Sequence, residues 1–381
     1  MDRLTVLGRI LNARAFSRVF ANLRFCSSKV EVDEDAEVPS KKQKIQQVMN
    51  VHPVVAERVK TRSVLAVCGR DSIDFLNNLT TNQLNQLNDE AACLHTYFLN
   101  SKGRIIHDAL IYKPDDDDTL FIECDISSLQ ALQTHLIMYR ARTNVEIRSV
   151  EQEVGVWAVY DPLEIDGGAE GTQDSIHDTS FLDDLDLGGK ILLSRDPRMW
   201  PLGLRILAPR EIDVAQSLKI AGVKITDAPN GTYKSVRYKL GVAEGIAEIG
   251  YGRSLPAEIN GDYTNAICLS KTNYTGWAPG ALKKMVENRM LPLMFHGNPA
   301  MVSANSPITD RRGKKSSPIG YLRGVQGFFG LGLMNIPSVL SDRYCIVGKV
   351  ETECVRPPWW KNEVKSSDIN ELKEIPQRAN D

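Results

Sequence analysis

Residues 96–111 constrain the fold more than any other stretch, because they predict two strands joined by a tight turn. β-Branched and aromatic residues fill both arms, and Asn100 and Gly103 bound a turn in which Gly103 is free to take a positive φ. Asp108 lies in the second, otherwise apolar arm, where an unpaired polar group, even a neutral one, costs about 2–7 kcal/mol. We expect Asp108 either to have a partner or a functional role, or to point toward solvent or a neighbouring turn.

Composition places the chain among ordinary globular proteins. Its 381 residues are 42% hydrophobic and 25% charged, which allows two or three domains with a buried core. The formal net charge of -2 provides no broad positive surface, and no run approaches the ~18 apolar residues that cross a bilayer. We therefore expect no nucleic acid and no membrane partner. The seven cysteines include no Cys-x-x-Cys pair, and their odd number favours a reducing compartment over a secreted disulfide framework.

The N-terminal segment differs from the rest of the chain. Residues 1–28 combine apolar residues at helical spacing with a single acid, Asp2, and with five arginines, namely Arg3, Arg9, Arg14, Arg18 and Arg24. This composition is typical of a mitochondrial transit peptide, and Ser27 and Ser28 suit a cleavage point. Residues 29–50 follow as a charged linker, in which an acidic run precedes a lysine run. These features predict import into the mitochondrial matrix.

The remaining chain divides by its patterning. Residues 51–160 and 190–288 predict two α+β domains separated by a Gly-, Asp- and Ser-rich loop insert at 161–189. Within them we expect helices at 127–142, with Ser127 as N-cap, and near 72–79, with Asp71 or Ser72 as N-cap. Residues 289–356 predict short strands of a closing β-barrel, and 357–381 a charged tail.

Common catalytic and metal-binding motifs are absent from the sequence. It has no Gly-x-Ser-x-Gly, no Gly-x-x-x-x-Gly-Lys-Ser/Thr and no His-Glu-x-x-His, and its six histidines lack zinc-ligand spacing with cysteine. The glycines at 324, 327, 330 and 332 lie between strand-like segments with no following helix, so we interpret them as strand-turning glycines and not as a phosphate loop. We therefore expect no resident metal.

Four stretches taken together resemble a known family. They are Arg-Ser-Val-Leu-Ala-Val-Cys-Gly-Arg-Asp at 62–71, Phe-Leu-Asn-Ser-Lys-Gly-Arg at 98–104 with the later Asp108, Arg-Tyr-Lys-Leu-Gly-Val-Ala-Glu-Gly at 237–245, and Gly-Tyr-Leu-Arg-Gly-Val-Gln-Gly at 320–327 with Trp359 and Trp360. The chain is similar here to the aminomethyltransferase-like folate-binding family, which includes glycine cleavage T-proteins, and most closely to its mitochondrial iron–sulfur cluster assembly and bacterial YgfZ-type members. The resemblance implies an α+β, three-domain cyclic T-protein-like fold with a C-terminal β-barrel domain.

One family motif is altered in this chain. Where the family has Lys-Gly-Cys-Tyr-x-Gly-Gln-Glu, this sequence has Lys-Thr-Asn-Tyr-Thr-Gly-Trp-Ala at 271–278. Asn273 occupies the cysteine position, and an amide cannot replace a thiolate as an iron ligand or nucleophile. Either this chain performs the function of the family without the thiol, or Cys268, which is nearby in the sequence, replaces it.

The resemblance also implies a site for tetrahydrofolate. Asp108, Glu258 and Tyr274 would hold the pterin, while Arg237 and Lys271 would face the anionic tail. Each residue also has a structural interpretation: Arg237 and Lys271 as surface cations, Tyr274 as a half-buried wall and Glu258 as a loop cap.

Three functions agree with these expectations. The first is a mitochondrial matrix factor that supports [4Fe-4S] cluster formation or delivery together with A-type iron–sulfur scaffold proteins. The second is a folate-dependent aminomethyl or one-carbon transferase, in which Asp108 orients or activates a folate nitrogen. The third is a degenerate, non-catalytic folate-binding scaffold.

Overall fold

A computed structural model describes residues 53–88, 92–114, 118–162, 191–229, 231–268, 271, 287–312 and 317–357. The predicted transit segment and linker, residues 163–189 of the insert and most of the predicted tail lie outside these ranges.

Strands dominate the described residues. The fifteen strands, β1 to β15, are in chain order Val55–Arg58, Arg62–Cys68, Cys93–Leu99, Ile105–Tyr112, Thr119–Asp125, Glu146–Ser149, Val154–Tyr160, Leu192–Arg195, Leu204–Pro209, Asn288–Phe295, Pro307–Asp310, Gly320–Gln326, Phe329–Asn335, Tyr344–Val347 and Val350–Cys354. The six helices, α1 to α6, are Ser72–Asn77, Leu129–Tyr139, Val214–Ile220, Thr232–Lys239, Ile246–Ile249 and Ile336–Ser341.

The predicted hairpin forms the edge of a five-stranded sheet with the order β3-β4-β5-β2-β6. Gly103 closes its turn with a φ of 72°, as the turn requires. Asp108 pairs in register with Tyr97 across β3 and β4 and is only 3% exposed. The interpretation in which Asp108 points toward solvent is therefore wrong.

A second, four-stranded sheet joins segments from both sides of the insert. Its order is β1-β7-β9-β8, and all its neighbouring strands are antiparallel. Apolar residues of this sheet and of β2 share one core cluster, which brings the inner strands of the two sheets together.

The C-terminal strands close into a six-stranded barrel with the order β10-β13-β12-β11-β14-β15. Gly327 lies between β12 and β13 with a φ of 57°, which confirms the strand-turning interpretation for this glycine, whereas Gly324, Gly330 and Gly332 lie within the two strands. A Cβ on Gly332 would lie 2.9 Å from Leu293 Cδ1, so β13 packs against its neighbour at a distance that only glycine allows.

One predicted helix start is wrong, and the other helix starts as predicted, at Ser72 after Asp71, but without the expected capping bond. Helix α2 begins at Leu129 after the 3₁₀ turn Ile126–Ser128, and the Asp125 carboxylate caps that turn by accepting from the Ser127 amide at 2.8 Å. The N-cap residue of α2 is Ser128, without a side-chain bond, and not Ser127. Asp71 precedes α1 but makes no side-chain cap bond. Its carboxylate instead accepts from the Asn144 amide at 2.7 Å, because the chain before β6 passes close to it. None of the helices in the described ranges is long and apolar enough to span a membrane.

Candidate functional site

The Asp108 carboxylate is fully engaged by protein groups. Arg62 on β2 donates from Nη1 to Asp108 Oδ2 at 2.7 Å and from Nε to Glu123 Oε1 at 2.9 Å. The backbone amide of Gly245 donates to Asp108 Oδ1 at 3.1 Å. Burial alone would lower the pKa of Arg62, but Asp108, Glu244 and Glu123 outweigh burial and raise it. Asp108 therefore has the partner that its apolar strand requires.

Glu123 carries the contacts from Arg62 toward the second sheet. Tyr112 on β4 donates its hydroxyl to Glu123 Oε2 at 2.6 Å. Arg205 on β9 approaches Glu123 Oε1 to 3.3 Å and donates to Glu244 Oε2 at 2.5 Å. The two sheets are thus joined through charged side chains whose strands are otherwise apolar.

Arg198 and Asp196 form a bidentate pair close to Arg205. The two Arg198–Asp196 bonds measure 2.8 and 2.6 Å, and Arg198 Nη1 donates to Glu244 Oε2 at 2.7 Å. Tyr233 on α4 accepts from Arg198 Nη2 at 2.8 Å. Burial would raise the pKa of the Asp196 carboxyl, but Arg198 and Arg205 outweigh burial and lower it, so the pair is ionised.

Arg237 on α4 extends the same contacts to α5. Its Nη1 and Nη2 donate to the two carboxylate oxygens of Glu248 at 2.8 and 3.1 Å, and its Nε lies 3.7 Å from Glu244 Oε1. Tyr238 also donates to Glu248, at 2.9 Å, and Lys234 lies 3.9 Å from the same carboxylate. Arg237 is consequently buried and paired, so its interpretation as a surface cation is wrong.

These side chains form one arginine–carboxylate network of four guanidinium groups and five carboxylates. Its members are Arg62, Arg198, Arg205, Arg237, Asp108, Glu123, Asp196, Glu244 and Glu248. Burial would raise the pKa of Glu244, yet Arg237, Arg205 and Arg198 lower it well below the usual range. Among the described residues, Arg205 Nη1 has no hydrogen-bond partner although it is buried. Arg205 Nε and Arg237 Nε also lack a hydrogen bond, but they lie 3.4 and 3.7 Å from carboxylate oxygens, so Arg205 Nη1 is the donor most available to a buried water or a ligand oxygen.

Sequence reasoning found only Asp108 and Arg237 of this network. The signal for others was present, since Glu123 and Arg205 interrupt β-strands whose remaining residues are buried. Their pairing was not readable, because the partners come from segments far apart in the chain.

Glu258 and Lys271 lie outside the network. Glu258 is half-buried and accepts from the Leu255 amide at 2.7 Å, in agreement with a loop cap. It contributes to no ion pair of the described residues within 4.0 Å. Tyr274 lies outside the described residues.

Lys271 closes the end of α1 and the turn after it. Its Nζ donates to the backbone oxygens of Thr80 at 2.8 Å and Asn82 at 2.6 Å, to Asn77 Oδ1 at 3.2 Å, and to the Asn77 backbone oxygen. Burial lowers the pKa of Lys271 to about 8, and the opposing effect of Cys268 is smaller. Lys271 is therefore a half-buried anchor and not a surface cation.

Most of the described cysteines are buried thiols. Burial raises the pKa of four of them, Cys93, Cys124, Cys345 and Cys354, while Cys68 and Cys268 are half-buried. Within the described ranges no group of three or more His, Cys, Asp or Glu side chains could hold a metal ion. Asn273, in the altered motif, lies outside those ranges.

Comparison with known proteins agrees with this geometry. The family model described as "CAF17, C-terminal beta-barrel domain" matches residues 288–362. The human protein named "Iron-sulfur cluster assembly factor IBA57, mitochondrial" is 29% identical over 319 residues, which cover 80% of this chain and 84% of that protein. The Pyricularia oryzae protein named "Iron-sulfur cluster assembly factor IBA57 homolog, mitochondrial" is 32% identical over 246 residues, which cover 62% of this chain and 57% of that protein.

A solved structure confirms the predicted fold. The glycine cleavage system aminomethyltransferase T from Bartonella henselae superposes with a TM-score of 0.57 at 14% identity, covering 83% of this chain and 88% of that one. The fold is therefore α+β and aminomethyltransferase-like, with a C-terminal six-stranded β-barrel.

Proposed function

We propose that this chain, which is similar to IBA57 assembly factors over most of its length, acts in iron–sulfur protein assembly in mitochondria. The observation that carries the proposal is the similarity to assembly factors over most of the length of both proteins. The barrel match at the C-terminus and the T-protein-like fold support the same relationship.

The finer part of the proposal concerns the cluster and the partner. We propose that the chain supports [4Fe-4S] cluster formation or delivery in the matrix and works with A-type scaffold proteins. The cluster is the substrate here, and the chain supplies a binding surface for the protein that carries it. The arginine-rich residues 1–28 support matrix import.

The described residues fit tetrahydrofolate poorly. A pterin needs free hydrogen-bonding groups along one edge. Both oxygens of Asp108 and both Nη atoms of Arg237 are bonded within the protein, and Lys271 is surrounded by backbone and amide oxygens. The predicted contacts of Asp108, Glu258, Tyr274, Arg237 and Lys271 with folate stay predictions, and we derive no transfer step through folate. The proposed assembly role does not require it.

Complementation tests the assembly role. Human cells depleted of IBA57 would be supplied with the full chain, and the activities of mitochondrial [4Fe-4S] and [2Fe-2S] enzymes would be compared. We expect the [4Fe-4S] activities to return while the [2Fe-2S] activities stay unchanged. The matched control is the chain without residues 1–28, which we expect to accumulate outside mitochondria and to restore nothing.

Two outcomes would count against the proposal. If the full chain is imported and folded but no [4Fe-4S] activity returns, the assembly role is wrong. If both cluster classes recover equally, the restriction to [4Fe-4S] clusters is wrong.

Calorimetry with tetrahydrofolate tests the transferase alternative. Asp108→Asn and Glu123→Gln each weaken an Arg62 ion pair, but only Asp108→Asn changes the predicted folate contact. We expect no saturable binding by the wild-type chain. Saturable binding that Asp108→Asn weakens and Glu123→Gln does not would favour a folate-dependent transferase.

A further inference from the structure

Three arginines outside the buried network lie around one loop, residues 250–254. Arg104 follows the β3–β4 turn, Arg253 lies in the loop after α5, and Arg323 lies in barrel strand β12. We call these three residues the arginine triad. Each comes from a different part of the fold, so their proximity is a product of the tertiary structure.

Backbone bonds hold the first two members together. The Gly252 amide donates to the Ile105 carbonyl at 2.7 Å, and the Ile105 amide donates to the Ser254 carbonyl at 2.9 Å. The Arg104 guanidinium donates from Nη1 to the Arg253 carbonyl oxygen. The loop that carries Arg253 is therefore fixed on the first residues of β4.

Arg323 reaches the same loop from the barrel. A Cβ built on Gly250 would lie 3.7 Å from Arg253 Cβ and 3.7 Å from Arg323 Nη1, so both arginines border Gly250. Arg323 Nη1 donates to Asn305 Oδ1 at 3.2 Å, but its Nε is buried and has no hydrogen-bond partner among the described residues. A buried donor of this kind normally has a partner.

The triad lacks the close carboxylate partners that the buried network has. No acidic side chain in the described ranges forms an ion pair with Arg104, Arg253 or Arg323, whereas every arginine of the buried network has at least one carboxylate partner. Burial lowers the pKa of Arg323, Arg253 lowers it further, and Glu258 partly opposes both. The guanidinium groups of Arg253 and Arg323 repel each other, and Arg323 Nε lacks an acceptor among the described residues. An anion bound between them would reduce the repulsion and accept from this donor.

We propose that the arginine triad binds an anion that carries two or more carboxylate groups. A guanidinium group offers parallel donors that match a carboxylate bidentately, and three such groups on separate elements exceed what one carboxylate can satisfy. Asn100 adds an amide at the same edge, since its Nδ2 lies 3.6 Å from a Cβ built on Gly252.

Calorimetry on the full chain at low ionic strength tests the proposal, with citrate as the probe and inorganic phosphate as a single-group comparison. We expect saturable citrate binding that weakens as salt screens the charges. Arg253→Ala and Arg323→Ala should each weaken binding at least about tenfold, which corresponds to the loss of one charge-assisted hydrogen bond. Arg142→Ala, an exposed arginine beyond α2, is the matched control and should leave binding unchanged.

Each other outcome overturns the proposal. Absence of saturable citrate binding removes the site, and wild-type affinity in Arg253→Ala removes the triad from it. Phosphate that binds as tightly as citrate rejects the multi-carboxylate ligand. Because Arg253 is exposed, its truncation should not unfold the protein, and an unchanged urea midpoint would confirm this. The proposal is independent of the assembly role, so a failed complementation would leave it intact.

Discussion

Replacement of Arg62 by methionine should be among the most damaging single changes in the core. Among the described residues it leaves Asp108 with the Gly245 amide as its only bonded partner and leaves Glu123 with Tyr112 and Arg205. The side chains of Arg62 and Asp108 are 1% and 3% exposed, so solvent cannot stabilise the uncompensated carboxylate.

The expected loss in the free energy of unfolding is about 3–5 kcal/mol, because one charge of a buried pair remains without its counter-ion. Asp108→Leu should cost a similar amount for the reciprocal reason. The double variant Arg62→Met with Asp108→Leu removes both charges, so its cost should be smaller than the sum of the two single costs by about 2 kcal/mol or more.

Urea unfolding of the four proteins, followed by tryptophan fluorescence, measures this cycle, since Trp157 is buried in β7. Arg70→Met is the control, because the Arg70–Asp71 pair measures 3.6 Å between side chains that are 76% and 38% exposed. We expect it to cost about 0.5 kcal/mol or less. An Arg62→Met cost no larger than that of the control, or strict additivity in the cycle, would refute the reasoning.

Three further predictions concern other parts of the molecule. Burial lowers the pKa of both His95 and His107 to about 4. Unfolding exposes the two imidazoles, which then take up protons below about pH 6.5. The two histidines should leave stability unchanged above pH 6.5, and each should lower the free energy of unfolding by about 1.4 kcal/mol per pH unit as the pH drops toward 4. In His107→Gln the urea midpoint should therefore depend less steeply on pH between about 5 and 6.5 than in the wild type. An unchanged dependence on pH would contradict this. Lys271→Met should destabilise the protein by about 2 kcal/mol and speed amide hydrogen exchange at the end of α1, because it removes a charged donor to several oxygens. An unaltered exchange rate would show that the Lys271 contacts are dispensable. Gly324→Ala should lower the free energy of unfolding, measured by thermal unfolding, by about 1–3 kcal/mol, because its new methyl group would overlap a tyrosine ring of α4. The control Gly297→Ala meets only a valine methyl at 3.2 Å and should cost less. Equal costs would contradict the packing argument.

Local patterns predicted most of the secondary structure. The hairpin at 96–111 and helix α2 were readable because alternation, turn residues and helical spacing all act within a few residues. Strands β1 and β11 were not predicted, since each has four residues and provides too little periodicity. Asp71 is the N-cap residue of α1 as predicted, but its side-chain bond and the Ser127 cap were wrong, because each depends on which amide the tertiary structure brings near a carboxylate.

The site was less predictable than the fold. A buried acid at position 108 signalled that a partner was required, but nothing near it in sequence identified Arg62. The separation between Asp108 and Gly245 is 137 residues, and that between Arg62 and Glu123 is 61. Pairings over such distances depend on the sheet order and not on any local pattern. The family resemblance directed attention to Arg237 and Lys271 as ligand cations, whereas the structure engages both with protein groups.

The arginine–carboxylate network also sets an order of events during synthesis. Arg62, Asp108 and Glu123 leave the ribosome early, but Glu244, which joins Arg198, Arg205 and Arg237, follows more than a hundred residues later. Until that carboxylate arrives, closure of the two sheets would bury Arg198 Nη1 and Arg205 Nη2 without the Glu244 oxygen to which both donate, and the nascent chain should keep this region hydrated. A ribosome that stalls before residue 244 would therefore display an open intermediate, accessible to chaperones and proteases, however well its individual strands have formed.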